Sequence, residues 1–304
     1  MQGFPFAIEN IEFVLGEEKV DLQKYIKNFD RTVEITGIQN VYQSNKCATD
    51  LGIVAAQKSL KNFKKKIEAL IYITQSPDYY LPGSATLIHN QLNLDDDCMT
   101  LDLNAGCSGF AQAILLGSQI INQYKNILII CSDTYRKKIN KDDRATFAVF
   151  SDGASSTIIS NVPRITISKK IIKTYGAGKE MLYQSFDGDI KMKGKELWDF
   201  TRTKVVPDIK LLIDHAAKNI QENEKINIYM HQASKVVVEG ISVQLDDKKT
   251  NIYKNYEEVG NTVSSSIPIL IKQKNFEEIN KKKSIISGFG VGIMSYSFSL
   301  DPLR

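Results

Sequence analysis

The chain lacks the features that mark membrane proteins and disulfide-rich secreted proteins. Its 304 residues include only four cysteines, and no two of them have the C-x-x-C spacing. This pattern indicates neither a disulfide framework nor a metal site, and a reducing cytoplasm is the expected compartment. No apolar run reaches the roughly 18 residues of a membrane-spanning helix. The first residues lack the basic and apolar regions of a signal peptide, so we expect none.

Charge of one sign is not in excess either. The chain has 39 basic and 35 acidic residues, a net charge of +4. This imbalance is too small to indicate nucleic-acid binding. Hydrophobic residues make up 42% of the chain and aromatic residues 9%. That composition is typical of a globular protein with a substantial core, arranged as one large or two ordinary domains.

Strand and helix patterns alternate along the first part of the chain. Apolar and β-branched runs predict strands at 4–15, 69–74, 100–103, 126–133 and 154–160. Helical periodicity predicts helices at 21–28, 49–63, 84–91 and 110–121, the second of them capped by Thr49 or Asp50. Alternating strands and helices predict an α/β protein with a mostly parallel, helix-covered sheet.

The second part of the chain repeats this plan. A strand that runs into a polar loop occurs near residue 75 and again near 231, and a small-residue turn that enters a helix occurs near 107 and again near 261. Both spacings give a repeat of about 155 residues, which predicts two similar halves, 1–160 and 161–304. Chance alignment of two α/β segments is the alternative interpretation.

Cys107 lies where a predicted strand turns into a nearly continuously apolar helix. Free N–H groups and the helix dipole at such a position favour a thiolate, so we expect the pKa of Cys107 to be lowered. The alternative is a packed core cysteine, since free cysteine is among the most buried residue types. Spacing alone does not separate a nucleophile from a core residue.

Histidine is scarce, with three residues in the chain. His89 and His215 lie in predicted amphipathic helices, where a partly exposed surface role is expected. His231 follows a buried strand, the position at which open α/β sheets place their active sites. Asn261 lies at a helix entrance, where a simple N-cap is the alternative to a functional role.

Three motifs together carry a family resemblance: residues 104–110 (NAGCSGF), 231–234 (HQAS) and 260–268 (GNTVSSSIP). In their order and spacing they resemble the ketoacyl-acyl-carrier-protein synthase III family of the thiolase superfamily. Further matching segments lie at 35–38, 77–84, 150–154, 190–194 with Trp198, and 288–292. The resemblance implies the duplicated thiolase fold with five layers, α-β-α-β-α, and a homodimer. Its N-terminal half would carry the cysteine and its C-terminal half the histidine and asparagine.

The resemblance also implies a reaction. Cys107 would take an acyl group from acyl-coenzyme A, with the N–H groups of Cys107 and Gly290 as the oxyanion hole. His231 and Asn261 would then stabilise the enolate formed when malonyl-acyl-carrier protein loses carbon dioxide. The implied product is a β-ketoacyl thioester. The resemblance implies acyl-coenzyme A and malonyl-acyl-carrier protein as substrates, and it implies no cofactor or metal.

The sequence departs from the family pattern near the expected coenzyme A site. Gln39, Asn40 and Val41 stand where the family usually has an arginine, whereas Arg144 matches a family arginine that contacts the adenine. Ser234 replaces the usual asparagine that touches the pantetheine arm. These differences favour a specialised paralogue outside housekeeping fatty-acid synthesis.

Basic residues flank the expected tunnel mouth and could steer an acidic carrier protein. They are Lys191, Lys193, Lys195, Arg202, Lys204, Lys210 and Lys235. A solvated lysine-rich surface is the alternative interpretation.

Other reactions on the same fold fit the motifs less well. An acyltransferase that passes the acyl group to an amine or hydroxyl without decarboxylation remains an alternative, although transfer to oxygen would favour a base. A non-catalytic partner subunit disagrees with the presence of Cys107. A hydroxymethylglutaryl-coenzyme A synthase would need a glutamate in the loop at 74–78, which has none.

Overall fold

The computed structural model describes residues 3–218, 220–221, 224–245 and 248–303. The strands are β1 Phe6–Leu15, β2 Glu18–Val20, β3 Val41–Gln43, β4 Ala69–Ile73, β5 Met99–Leu103, β6 Asn126–Asp133, β7 Gly153–Thr174, β8 Leu182–Tyr183, β9 Lys191–Met192, β10 Ile226–Met230, β11 Thr250–Ile252, β12 Ser284–Gly290 and β13 Met294–Pro302. The helices are α1 Phe29–Thr36, α2 Ala48–Leu60, α3 Ser84–Gln91, α4 Gly109–Ile120, α5 Arg144–Phe147, α6 Gly194–Phe200, α7 Val206–Ala217, α8 Lys235–Ser242, α9 Tyr256–Val259 and α10 Ser266–Asn275. Across these described ranges, no helix combines the length and apolar character needed to span a membrane.

The main sheet repeats one strand order. On one side, β5, β4, β6, the first part of β7 and β1 lie next to one another. On the other side, β11, β10, β12, β13 and the second part of β7 do the same. If the five strands of each set are numbered by their order in the chain, their order across the sheet is third, second, fourth, fifth, first in both sets. The predicted duplication is therefore present in the topology. The predicted junction at residue 160 lies within β7, and the division into two domains there stays a prediction.

Neighbouring side chains along a strand point to opposite faces of the sheet, and the two faces pack against different helices. Ile71 and Ile129 face one cluster that contains α4 and α10, whereas Leu70 on the neighbouring position faces α2 and α3. In the other half Tyr229 faces the same central cluster, and Ile228 faces α7 and α8. Helices α4 and α10 therefore lie between the two half-sheets, with a helix layer outside each. The predicted α/β class and the α-β-α-β-α layering are confirmed.

The predicted helix at 21–28 is wrong. One 3-10 turn covers residues 22–24, and the α-helix follows as α1. Asn28 precedes its first turn, and Gly37 ends it with a positive φ of 68°. Glycine adopts that left-handed conformation without steric cost, which makes it a frequent helix terminator.

Two other predicted boundaries also shift. Helix α2 begins at Ala48, and its N-cap is Cys47, whose sulfur accepts the Asp50 N–H at 3.5 Å. Thr49 does not cap the helix, because it lies inside the first turn, where its own N–H donates to the Asp78 carboxylate at 3.2 Å. Strand β7 extends 14 residues past the predicted end at 160, because β13 provides a pairing partner for its second part.

Candidate active site

One cavity of about 510 Å³ collects the residues that the sequence singled out. It lies at the carboxyl ends of the parallel strands, the end of the sheet where α/β proteins place their sites. Its lining includes all six predicted site residues, namely Cys107, Arg144, His231, Ser234, Asn261 and Gly290. His89 and His215, expected to be surface residues, are half-buried on α3 and α7 and do not line this cavity.

Cys107 occupies the turn between β5 and α4, as predicted, with 3% of its surface exposed. Two glycines at the end of β12 press against it. A Cβ on Gly290 would lie 2.8 Å from Cys107 Cβ and 3.0 Å from its Sγ, and Gly290 has a φ of +149°. A Cβ on Gly288 would lie 3.1 Å from the Cys107 carbonyl oxygen. Only glycine avoids close contact with the cysteine turn at these two positions.

The pKa of Cys107 moves in the direction opposite to our expectation. Burial raises it to about 12, because a thiolate loses its hydration in the interior. Backbone N–H groups of Val291 and of Cys107 itself oppose this rise but do not reverse it. The expected lowering at the helix N-terminus is therefore wrong.

The N–H of Val291 is a donor that the sequence analysis missed. It follows Gly290 in the Gly-rich turn and faces the Cys107 sulfur. In the sequence, only the position of Val291 in that turn could have indicated that its N–H is a donor. The expected donor role of the Gly290 N–H stays a prediction.

His231 is held by its Nδ1 atom. The Ser266 hydroxyl lies 2.7 Å from Nδ1, and the Gln232 N–H approaches that hydroxyl at 3.5 Å. The hydroxyl accepts from Gln232, and we assign its own proton to the bond with Nδ1. The imidazole then carries its proton on Nε2, where it can donate.

Burial also keeps His231 neutral. The ring is 2% exposed, and desolvation lowers its pKa to about 3. The Phe289 ring packs against it edge-on, with 5.8 Å between ring centroids. His231 is therefore a neutral hydrogen-bond donor at physiological pH rather than a cation.

Asn261 is fixed by three hydrogen bonds. Its N–H donates to the Val149 carbonyl, and its carbonyl accepts the Ser151 N–H, both at 2.9 Å. Its Oδ1 accepts the Val263 N–H at 2.9 Å, which leaves the side-chain NH₂ group as a donor. Helix α10 begins only at Ser266, so Asn261 is not its N-cap.

The turn after Asn261 is strained. Val263 has a φ of +53°, which is a rare conformation for a β-branched residue. Such a conformation costs about 1–3 kcal/mol and persists only where surrounding contacts fix it. Functional sites are where such strain concentrates.

An arginine, a lysine and helix α1, which the sequence did not predict, lie at the mouth of the cavity. Arg144 opens α5, Ser234 precedes α8, and Lys195 lies near the start of α6. Thr32, Ile35 and Thr36 of α1 also line the cavity. The basic residues expected at the rim are mostly exposed, and some have acidic neighbours, such as Arg202 with Asp199 at 3.9 Å and Lys193 with Glu196 at 3.8 Å.

A cysteine from one half of a duplicated sheet meets a histidine and an asparagine from the other half in one buried cavity. This fold and this site define a thiolase-fold protein. Solved structures agree. A 3-oxoacyl-(acyl-carrier protein) synthase from Burkholderia xenovorans superposes with a TM-score of 0.86 and 25% identity, covering 99% of this chain and 95% of that one. OleA from Xanthomonas campestris gives a TM-score of 0.82 at 16% identity, covering 97% and 98%.

Sequence comparison gives the family. The N-terminal profile of 3-oxoacyl-[acyl-carrier-protein (ACP)] synthase III matches residues 101–176, and its C-terminal profile matches 214–300. The β-ketoacyl-[acyl-carrier-protein] synthase III of Clostridium acetobutylicum is 29% identical over 296 residues, covering 90% of each chain. The chain belongs to the 3-oxoacyl-acyl-carrier-protein synthase III family.

Proposed function

We propose that the protein is a β-ketoacyl-acyl-carrier-protein synthase of type III that condenses an acyl group with a malonyl thioester. The observation that carries this proposal is the meeting of Cys107, His231 and Asn261 in one buried cavity. A nucleophile and two neutral donors suit a reaction in which charge develops on oxygen.

In the first step the Cys107 sulfur attacks the thioester carbonyl of acyl-coenzyme A. The N–H groups of Cys107, Gly290 and Val291 are the candidate donors to the tetrahedral oxyanion. The carbon–sulfur bond to coenzyme A breaks, and the proton of the Cys107 thiol leaves with the departing sulfur. The exchange of one thiol for another is proton-neutral, so it fits a cysteine with a raised pKa.

In the second step a malonyl thioester on acyl carrier protein binds with its carbonyl oxygen toward His231 Nε2–H and the Asn261 NH₂ group. Loss of carbon dioxide leaves an enolate, whose oxygen the two donors stabilise. The enolate carbon attacks the acyl-cysteine and forms the new carbon–carbon bond. The Cys107 sulfur leaves as a thiolate and takes a proton from solvent. No group beyond the two substrates is required.

Transfer of the acyl group to an amine or hydroxyl fits the site less well. Such a transfer needs a base that removes a proton from the acceptor. His231 has its Nδ1 occupied by Ser266 and a pKa of about 3, so it is a poor base. Decarboxylative condensation remains the better match, because it uses donors only.

Both substrates would reach the cavity through its mouth. Arg144 and Lys195 line the mouth and offer positive charge to a nucleotide or phosphopantetheine group. The exposed basic residues of α6, of the π-helical turn at Thr201–Val205 and of α7 would favour an acidic carrier protein. Ser234 and the residues at 39–41 support a specialised paralogue, and a cytoplasmic location is part of this proposal.

A homodimer is also part of this proposal. Strand β5 ends the main sheet, so its outer edge is available for pairing with a second copy. An exposed apolar tip lies in the loop before α3, where Tyr79, Tyr80 and Leu81 are 60%, 75% and 87% exposed. Apolar surface of this kind is typical of a protein interface.

Intact-protein mass spectrometry tests the proposal. The wild type is incubated with a panel of acyl-coenzyme A donors and then with malonyl carrier protein. We expect a mass increase of one acyl group, its removal by the malonyl thioester, and a β-ketoacyl product. Loading that persists in Cys107→Ala would contradict the assignment.

A further inference from the structure

Asp133 is a fully buried carboxylate at the end of β6 that the reaction described above does not use. It accepts hydrogen bonds from both halves of the protein. The Gln75 N–H donates from the loop after β4 at 2.8 Å. The Ser264 N–H donates from the turn after Asn261 at 3.3 Å, and the Ser264 hydroxyl also donates to the same oxygen, Oδ2.

On one side this carboxylate secures the strained turn beside Asn261. Ser264 follows Val263, the residue with a φ of +53°. The Val263 N–H in turn fixes the Asn261 Oδ1 and so aims the NH₂ group. A shift of Ser264 would therefore reach the Asn261 donor through one intervening residue.

On the other side the carboxylate secures the loop behind the nucleophile. The Gln75 Oε1 accepts the Tyr135 hydroxyl at 2.8 Å, and its Nε2 donates to Asn104 Oδ1 at 3.2 Å. The Gln75 carboxamide rests directly against Gly106, the residue before Cys107. Asp133 therefore reaches the cysteine turn through the packing of Gln75 against Gly106 as well as through hydrogen bonds.

We propose that Asp133 is a positioning residue that fixes the Asn261 donor relative to Cys107 by joining the Ser264 turn of one half to the Gln75 loop of the other. This inference rests on the proposed condensation reaction. Loss of the carboxylate frees the strained turn, whereas the Cys107 turn keeps its glycine and helix contacts. Condensation therefore depends on Asp133 more than acyl loading does.

The electrostatic surroundings give this role a pH signature. Titratable groups that act on or respond to Asp133 are Tyr72 on β4, Cys131 on β6, Cys107 and Tyr135, all neutral near pH 7. Asp78, farther along the Gln75 loop, is held by the Thr49 N–H. Burial raises the pKa of Asp133 to about 7. Protonation on acidification places a donor opposite the N–H groups, so condensation is expected to fall as pH drops below about 7.

The test compares Asp133→Asn with Asp208→Asn. Asp208 is a matched control, a carboxylate with 1% exposure on α7 that pairs with Lys173 at 2.6 Å outside the cavity lining. We expect Asp133→Asn to lower malonyl condensation at least tenfold and change acyl loading less than threefold. Its condensation should also lose the decline below pH 7. Asp208→Asn should leave both half-reactions within twofold of wild type.

Ser264→Ala is the milder second variant, since it removes only the hydroxyl contact with Asp133. We expect it to lower condensation by a smaller factor than Asp133→Asn and to retain loading. Equal losses in the two half-reactions, or no loss in condensation, would overturn the positioning role.

A crystal structure of Asp133→Asn separates this inference from the proposed function. We expect Val263 to leave the left-handed region and the Asn261 side chain to turn away. If the wild type shows neither half-reaction, the proposed function fails, while the structure of the variant still decides whether Asp133 holds the turn. An unchanged Val263 conformation would overturn the inference.

Discussion

The site residues that come from the two halves of the protein are held in different ways. Cys107 is positioned by backbone and packing, with Gly288 and Gly290 pressed against it. Hydrogen bonds position the other two residues: His231 is bonded to Ser266, and Asn261 to Val263. The nucleophile needs open space for a bulky acyl group, whereas the two donors need fixed directions. Changes of shape should therefore damage the first half-reaction, and changes of hydrogen bonding the second.

The largest effect should come from crowding the nucleophile. In Gly290→Ala the new methyl group meets the Cys107 sulfur at a backbone position with a φ of +149°. We expect acyl loading to fall by about 100-fold, since misplacement by about an ångström is enough for such a loss. The measurement is the rate of acyl-enzyme formation by mass spectrometry.

Gly176→Ala is the matched control, because a Cβ there meets nothing within 4 Å. It should load at the wild-type rate. Normal loading by Gly290→Ala would show that packing does not control the nucleophile.

A smaller effect should follow from loosening one donor. Ser266→Ala removes the hydroxyl that fixes the His231 tautomer, which should slow condensation about tenfold, the loss of roughly one hydrogen bond. Acyl loading should remain unchanged. Nitrogen NMR of the imidazole should show the proton on Nε2 in wild type and a mixture in the variant.

Ser266→Thr retains a hydroxyl and serves as the control for this change. It should restore most of the condensation rate if the side chain fits. Equal condensation rates in Ser266→Ala and wild type would remove the proposed role of the tautomer.

The mildest test varies only the pH. The pKa of Cys107 is raised by burial, so its alkylation by iodoacetamide should accelerate with pH and show no plateau below pH 9. The pKa of His231 is lowered to about 3, so its NMR signals should not titrate between pH 5 and 8. A thiol midpoint near pH 7, or a histidine midpoint near 6.5, would contradict the burial described for each residue.

Local patterns predicted most of the regular structure. The β-branched runs at 69–74 and 126–133 are strands, and residues 84–91 form α3 as expected. The repeat spacing placed Cys107 and Asn261 at corresponding turns. These features depend on neighbouring residues or on comparison within the chain, so the sequence alone contains them.

Long-range contacts were beyond sequence reasoning. Ser266 holds His231 from 35 positions away, and Asp133 joins Gln75 to Ser264 across the two halves. The pKa of Cys107 was predicted in the wrong direction, because burial outweighs the nearby N–H groups and only the folded cavity shows how dry the sulfur is. Helix α1 was missed although its own residues are amphipathic, because the prediction placed the helix too early, at 21–28.

The most direct test of the account is mass spectrometry of the double variant His231→Ala/Asn261→Ala. After acyl-coenzyme A we predict a full acyl adduct on Cys107, because that half of the site is intact. After malonyl carrier protein we predict that the adduct persists and little carbon dioxide is released, with decarboxylation at least 100-fold slower than in wild type. Removal of the adduct at the wild-type rate with release of a β-ketoacyl thioester would contradict the division of labour between the two halves.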